Sequence, residues 1–433
     1  MKTNIKQKKD NSSLLEELKR STMSCLLWED EFYEDGINIS QRIQNLINNI
    51  TDLDKIVKII YQAKIDMKLR HIPLYMTCCL LNKQTKHINC NPNKEKINFS
   101  SLFESIITRP DDMGEIISIF KKLNPSCKTI PNSIKKAINN SFYKFDEYQL
   151  AKWNKSNANY KLVDIINLCH PKNTDLIKKI VYNNLKTPET WEVLLSAAGS
   201  DEEKKKEAWL KLINDNRLPD MAFLMNIRNI SNCGVSKDII RQRIQEINSD
   251  KLLPINLIRS GLINVDFTNE IEQVFFKLFT QQKNKEETII LVDVSGSMDG
   301  DSLKYASALA MIGREKYYNC SIYTFSYKEE KVKNIHGFGL FEAIDNSQEH
   351  NGTDLGYSLK NINNKEKYER IIIITDEQTV DYNMPQAITD KSYIINVASY
   401  QKGVGYTKGY KHINGFSDKI FDYIDNIEND FDF

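Results

Sequence analysis

Long hydrophobic runs are missing from this 433-residue chain, and nothing approaches the roughly 18 consecutive apolar residues that a membrane-spanning helix needs. No membrane partner is therefore expected. The opening segment MKTNIKQKKDNSS is basic and polar with no apolar stretch behind it, so a secretory leader is not expected either. Eight cysteines are scattered singly apart from Cys78-Cys79, without a Cys-x-x-Cys pair, which argues against structural zinc and against a disulfide framework. Buried thiols in a reducing cytoplasm are the expectation. Phosphate loops of the Gly-x-x-x-x-Gly-Lys-Ser/Thr and Gly-x-Gly-x-x-Gly kinds are absent. So is a Gly-x-Ser-x-Gly nucleophile elbow, and no residue pattern points to catalysis.

Glycine is scarce before residue 283, with five of 16, and proline is scarce after it, with one of ten, so the chain changes style there. Residues 1–13 are expected to be a disordered tail. From Leu14 to Phe279 apolar residues recur at helical spacing in short blocks, such as Ile43, Leu46, Ile47 and Ile50, then Ile56, Val57, Ile59 and Ile60. Prolines such as Pro73, Pro110, Pro131 and Pro219 separate the blocks as helix breaks or first-turn residues. Short helices without intervening strands predict an irregular α-solenoid of HEAT-like helical hairpins over 14–282.

Over 283–433, β-branched runs alternate with amphipathic segments: strands at 288–294, 320–325, 369–375 and 391–397, and helices at 302–315, 353–363 and 417–427. This alternation predicts a doubly wound α/β sheet, with Ile420, Phe421 and Ile424 docking the last helix on it. Charge divides with style. Through Gln282 there are 42 Lys/Arg against 34 Asp/Glu, and from Lys283 onward 17 against 24. The first part is biased towards phosphate and the second towards cations.

The strongest local signal is Ile289-Ile-Leu-Val-Asp293-Val-Ser295-Gly-Ser297-Met298, a buried strand running into an Asp-x-Ser-x-Ser turn. Two further oxygen-bearing turns follow, Gly352-Thr353-Asp354 and Thr375-Asp376 after a run of four isoleucines. Open α/β sheets gather ligands at the carboxyl ends of their strands. Hard oxygens with two charges suit Mg²⁺ or another divalent cation. An EF-hand is excluded, because Met298 stands where that loop needs Gly and Lys304 where it needs Glu. Residues 286–430 resemble the von Willebrand factor A domain, and the set resembles that family's metal-ion-dependent adhesion site. The resemblance implies that Ser295, Ser297 and Thr353 offer oxygens, that Asp293 and Asp376 hold the ion directly or through water, and that an open position accepts an acidic protein partner.

In the helical part, Phe145-Asp-Glu-Tyr148-Gln-Leu-Ala-Lys152-Trp153-Asn-Lys155 leads through Tyr160-Lys161 to His170-Pro171, interleaving aromatic and basic residues. This segment resembles the TROVE module of Ro ribonucleoproteins. Similar stretches are Cys25–Gly36 around Trp28, Arg70-His-Ile-Pro73-Leu, Thr190-Trp191, Leu218-Pro219 through Asn226-Ile-Arg228-Asn229, and Leu253-Pro254-Ile. The order, a TROVE ring and then an A domain, is itself that family's architecture. The resemblance implies a ring that binds structured non-coding RNA, Y-like on its outside or misfolded with an end in its hole. It places RNA contacts on Lys152, Lys155 and His170, while a further basic position of the family is Ser156 here. Lys161 and Arg228 join them as basic groups beside the matched stretches. Trp153 is expected to anchor its helix in the core.

The combined reading is a monomeric, cytoplasmic, non-enzymatic RNA chaperone or scaffold whose A domain docks a protein through Mg²⁺, an exoribonuclease being the partner class implied for bacterial members. The alternative is a metal-dependent protein-interaction module in which RNA binding is incidental.

Overall fold

The computed structural model describes residues 11–23, 36–90, 97–154, 157–186, 190–249, 252–279, 285–378, 384–398, 408–414 and 419–428. Most of the Cys25–Gly36 stretch and Lys155 lie outside the described residues. The fold is helical first and α/β afterwards, as the periodicities require. It divides into two compact units with the boundary at 193/194. The division falls before the change from helices to strands. Within the second unit the helix Thr268–Lys277 packs on the sheet domain: Glu272 accepts the Phe338 N–H at 2.7 Å, and the Phe275 and Phe338 rings stand 6.3 Å apart.

The first unit is built of short helices whose apolar stripes form one core. Ile43, Leu46 and Ile47 from helix Gly36–Asn49 and Ile56, Ile59 and Ile60 from helix Leu53–Tyr61 are all buried in it. Helix Leu53–Tyr61 begins where the Asp52 side chain accepts the Lys55 N–H at 3.1 Å. The first helix, Asn11–Met23, takes in three residues assigned to the tail by sequence. The Asn11 side chain accepts the Thr51 N–H at 2.9 Å, which ties this helix to the turn before helix Leu53–Tyr61.

A π-helical turn, Gln62–Asp66, carries Lys64 into the interior. There its ammonium meets Asp112 at 3.2 Å, with the side chains 4% and 0% exposed. The same Asp112 oxygen accepts the N–H groups of Thr108 and Arg109 at 2.9 and 3.0 Å, fixing the start of helix Pro110–Leu123. Removing one partner would leave a buried charge uncompensated. Asp112→Ala is expected to lower stability by about 3–5 kcal/mol in urea denaturation followed by circular dichroism. A loss below about 1 kcal/mol would show that water reaches Lys64.

In the α/β part six strands lie in the order β3-β2-β1-β4-β5-β6, with β1 Thr288–Asp293, β2 Cys320–Phe325, β3 Glu329–Lys331, β4 Arg370–Thr375, β5 Lys391–Asn396 and β6 Lys411–Asn414. All neighbours are parallel except β2 and β3. β1 and β4 are buried along their whole length, which is why they read as unbroken apolar runs. β3 and β6 escape sequence reading because they are short edge strands, and β3 carries Glu329, Glu330 and Lys331 in place of apolar residues. Helix Gly339–Asp345 also went unforeseen.

Ile420, Phe421 and Ile424 are fully buried, so the last helix, Lys419–Glu428, docks as its pattern requires. Its far end is held by Arg370, itself 0% exposed, which ion-pairs with Glu428 and Glu286.

Candidate metal centre and nucleic-acid interface

β1 pairs with β2 on one side and β4 on the other, so successive connections from it leave in opposite directions. Their carboxyl ends open a crevice at that switch point. Asp293 ends β1 and Thr375 ends β4, and across the crevice the Thr375 hydroxyl donates to Asp293 Oδ2 at 2.6 Å. The other Asp293 oxygen accepts the Ser295 N–H at 2.9 Å, which folds the Asp-x-Ser-x-Ser segment back over the strand end. Ser295 and Ser297 hydroxyls lie 3.1 Å apart, the first buried and the second exposed, so the cluster has an inner wall and a mouth.

The third turn arrives by backbone bonds. Gly296 N–H donates to the Asn351 carbonyl at 2.9 Å, and Asp354 N–H to the Ser326 carbonyl at 2.8 Å. The Ser326 hydroxyl donates to the Gly352 carbonyl at 3.0 Å. Thr353, 7% exposed, is thereby held between the ends of β1 and β2. The exposed Tyr327 ring lies over Gly352, where a Cβ would meet it at 2.5 Å.

Asp376 follows directly after β4, with Oδ1 accepting the Gln378 N–H at 2.9 Å. Its Oδ2 is buried without a hydrogen-bond partner among the described residues. Burial pushes the Asp376 carboxyl up, against the Gln378 N–H and the Ser297 hydroxyl, which favour its ionised form. Burial likewise pushes Asp293 up to about 7, opposed by Thr375 and Ser295 and reinforced by the Asp376 charge. Two buried acids held up by burial, a buried carboxylate oxygen and hydroxyls at the mouth are what a hard divalent cation satisfies. Among the described residues no group of three or more His, Cys, Asp and Glu placed to hold a metal ion gathers anywhere, this crevice included, where the other oxygens come from hydroxyls.

All five residues singled out in the sequence therefore belong to the three turns that line this crevice. Sequence reasoning missed Thr375 and Ser326, which hold the turns from behind. The signal for Thr375 was present, a hydroxyl at the last position of a buried strand. Exposed Tyr327 and Tyr357 flank the third turn and were also missed.

The basic residues are placed less tightly. Lys152 sits half-buried in the last turn of helix Glu147–Trp153, and Lys161 is exposed at the N-cap of helix Leu162–Cys169. His170 ends that helix, exposed, in the left-handed region at φ 56°. These three belong to the first unit, whereas Arg228, exposed on helix Asp220–Asn232, belongs to the second. Trp153 differs from expectation. It is half-buried, outside the core, with the Arg109 guanidinium 3.8 Å from its ring centre. The reason is local: Asn154 ends the helix immediately after it, so the ring lies at the helix's rim.

Residues 181–291 match the family model of the TROVE domain. Over that stretch the chain is similar to the TROVE domain. Over 93% of its length and 96% of the other, it shares the fold of the Ro (RSR) protein of Deinococcus radiodurans, at a TM-score of 0.62 and 12% identity. No curated protein matches the chain. The TROVE match includes Arg228 and the stretches around Trp191, Pro219 and Pro254, and it reaches into β1. The segment 145–171, which carries Lys152, Lys161 and His170, lies before it.

Proposed function

We propose that this protein binds structured non-coding RNA, Y-like or misfolded, as a Ro-type chaperone or scaffold without catalytic activity of its own. The observation that carries the reading is the Ro fold spanning nearly the whole chain together with the TROVE match. Lys152, Lys161 and His170 supply accessible cationic or hydrogen-bonding groups for phosphate on the first unit, and Arg228 does so on the second. Lys155 belongs to the same proposal from its place in the sequence. No helix among the described residues is long and apolar enough to cross a membrane.

The crevice at β1 and β4 holds Mg²⁺ or another divalent ion through Asp293, Ser295, Ser297, Thr353 and Asp376. A bound ion supplies a charge on which an acidic protein partner docks, with Tyr327 and Tyr357 offering contact area beside it. An exoribonuclease is one partner class of that kind.

Filter binding of the full chain to a stem-loop RNA carrying a single-stranded tail tests the RNA reading. Affinity should fall steeply as salt rises, by roughly 0.7 log units per log unit for each single-strand phosphate engaged. Retention no greater than for a duplex DNA of equal charge would overturn it and favour the protein-interaction module.

A further inference from the structure

We infer that the first unit carries a pocket for one unpaired guanine base; this rests on the RNA-binding reading and names the chemistry that one part of that surface selects. A cavity of about 390 Å³ lies between helix Pro110–Leu123 and the segment around Trp153 and Tyr160. That size accommodates a small planar ligand. Arg70, Asp111, Glu115, Lys122, Trp153 and Tyr160 line it, residues from three separate parts of the sequence.

The aromatic wall is fixed before any ligand arrives. Arg109 forks onto Asp111 through two hydrogen bonds, at 3.0 and 2.7 Å, and its guanidinium lies over Trp153 at 3.8 Å. Arg70 ion-pairs with the same carboxylate and stands 6.0 Å from the Trp153 ring centre. On the other side, helix Pro110–Leu123 approaches Tyr160 closely because Gly114 has no side chain; a Cβ there would stand 3.2 Å from the Tyr160 carbonyl oxygen. Asp112 fixes the first turn of that helix through Lys64, so Asp111 and Glu115 hold their positions one turn apart. Little ordering remains to be done on binding, which favours affinity.

The polar groups select the ligand. Two aromatic rings offer stacking surface to any base. Arg70 donates, and the major-groove edge of guanine presents two acceptors, O6 and N7, to such a fork. Asp111, already engaged by Arg109 and Arg70, and Glu115, already met by His71, accept through their remaining lone pairs, and guanine alone of the four bases adds a ring N–H beside an exocyclic amino group, a matching pair of donors for a carboxylate. Arg70 and Lys122 balance the two acids of the lining, and exposed Lys122 can meet the adjoining phosphate. Arg70 is 43% exposed, so it can turn from Asp111 to a base without leaving a buried charge behind.

The test uses the full chain and four tetraribonucleotides, UUGU, UUAU, UUCU and UUUU, followed by tryptophan fluorescence. UUGU should quench the signal and bind at least about fivefold tighter than UUUU. Arg70→Gln should remove that preference, and Trp153→Phe should keep the preference but lose the quench. Equal affinity for all four, or a quench that survives Trp153→Phe, overturns the pocket. If the tetranucleotides fail to bind while the tailed stem-loop binds normally, the pocket is wrong and the RNA reading stands. If neither binds, both are wrong.

Discussion

Saturating Mg²⁺ should raise the melting temperature of the full chain by about 5–10 °C at roughly 100 times its Kd, and Asp293→Ala should abolish the rise. The expectation follows from two buried carboxylates that fold into one crevice. Asp293 has both oxygens engaged by Thr375 and Ser295, yet burial still holds its carboxyl up at about 7. Asp376 is raised in the same direction and keeps one oxygen without a partner among the described residues. A divalent ion reverses both effects by favouring the ionised forms.

The pH dependence follows with a definite sign. An acid whose folded value lies above its unfolded one binds more protons in the folded state, so it stabilises fully below the unfolded value of about 4. In ion-free protein that contribution fades as pH rises through about 7. Bound ion needs the deprotonated acids, so the Mg²⁺-induced rise should be small at pH 5 and large at pH 8. Differential scanning fluorimetry with and without chelator measures both. Asp376→Ala should behave like Asp293→Ala while circular dichroism shows the helical part folded. An equal rise in wild type and both variants would place the ion elsewhere.

The second large effect concerns RNA. Replacing Lys152 and His170 together by Ala should weaken binding of the tailed stem-loop at least about tenfold, since each charge-assisted phosphate contact is worth about 1.5–3 kcal/mol. Both side chains are accessible, one half-buried at a helix end and one exposed at the next, so neither loss opens a core. The salt slope should fall by roughly 0.7 for each single-strand phosphate released. Gel-shift titrations at several salt concentrations separate this outcome from unfolding, which would remove binding at every salt. An unchanged affinity and slope would take Lys152 and His170 out of the interface.

How far the sequence was legible depends on how each signal is encoded. The Asp293, Ser295 and Ser297 turn could be read directly, because three oxygens within five residues after a buried strand need no tertiary information to be neighbours. Strand 320–325 was placed to the residue, since a buried β-branched run has sharp ends. The helix expected at 353–363 lies at Leu355–Lys365. Its start is set by the Asp354 side chain accepting the Tyr357 N–H at 2.9 Å, so Thr353 lies in the loop before it.

Trp153 shows the limit. An aromatic residue in an amphipathic segment reads as a core anchor, and periodicity cannot say that the helix stops one residue later with an arginine 44 positions away covering the ring. Thr375 and Ser326 were passed over because their importance lies in what they touch. The hydroxyl of one reaches a carboxylate 82 residues distant, and that of the other a carbonyl 26 residues on.

The amino-acid order by itself determined the helical-then-α/β plan and the residues able to hold a cation, because side-chain period and local turn chemistry act over a few neighbours. Only the tertiary structure decided which oxygens face one another across the crevice, that Asp376 keeps one without a partner among the described residues, and that Arg70, Asp111 and Trp153 enclose a cavity. Those facts depend on strand pairing and helix packing over long separations, and such contacts exist only once the chain has closed upon itself.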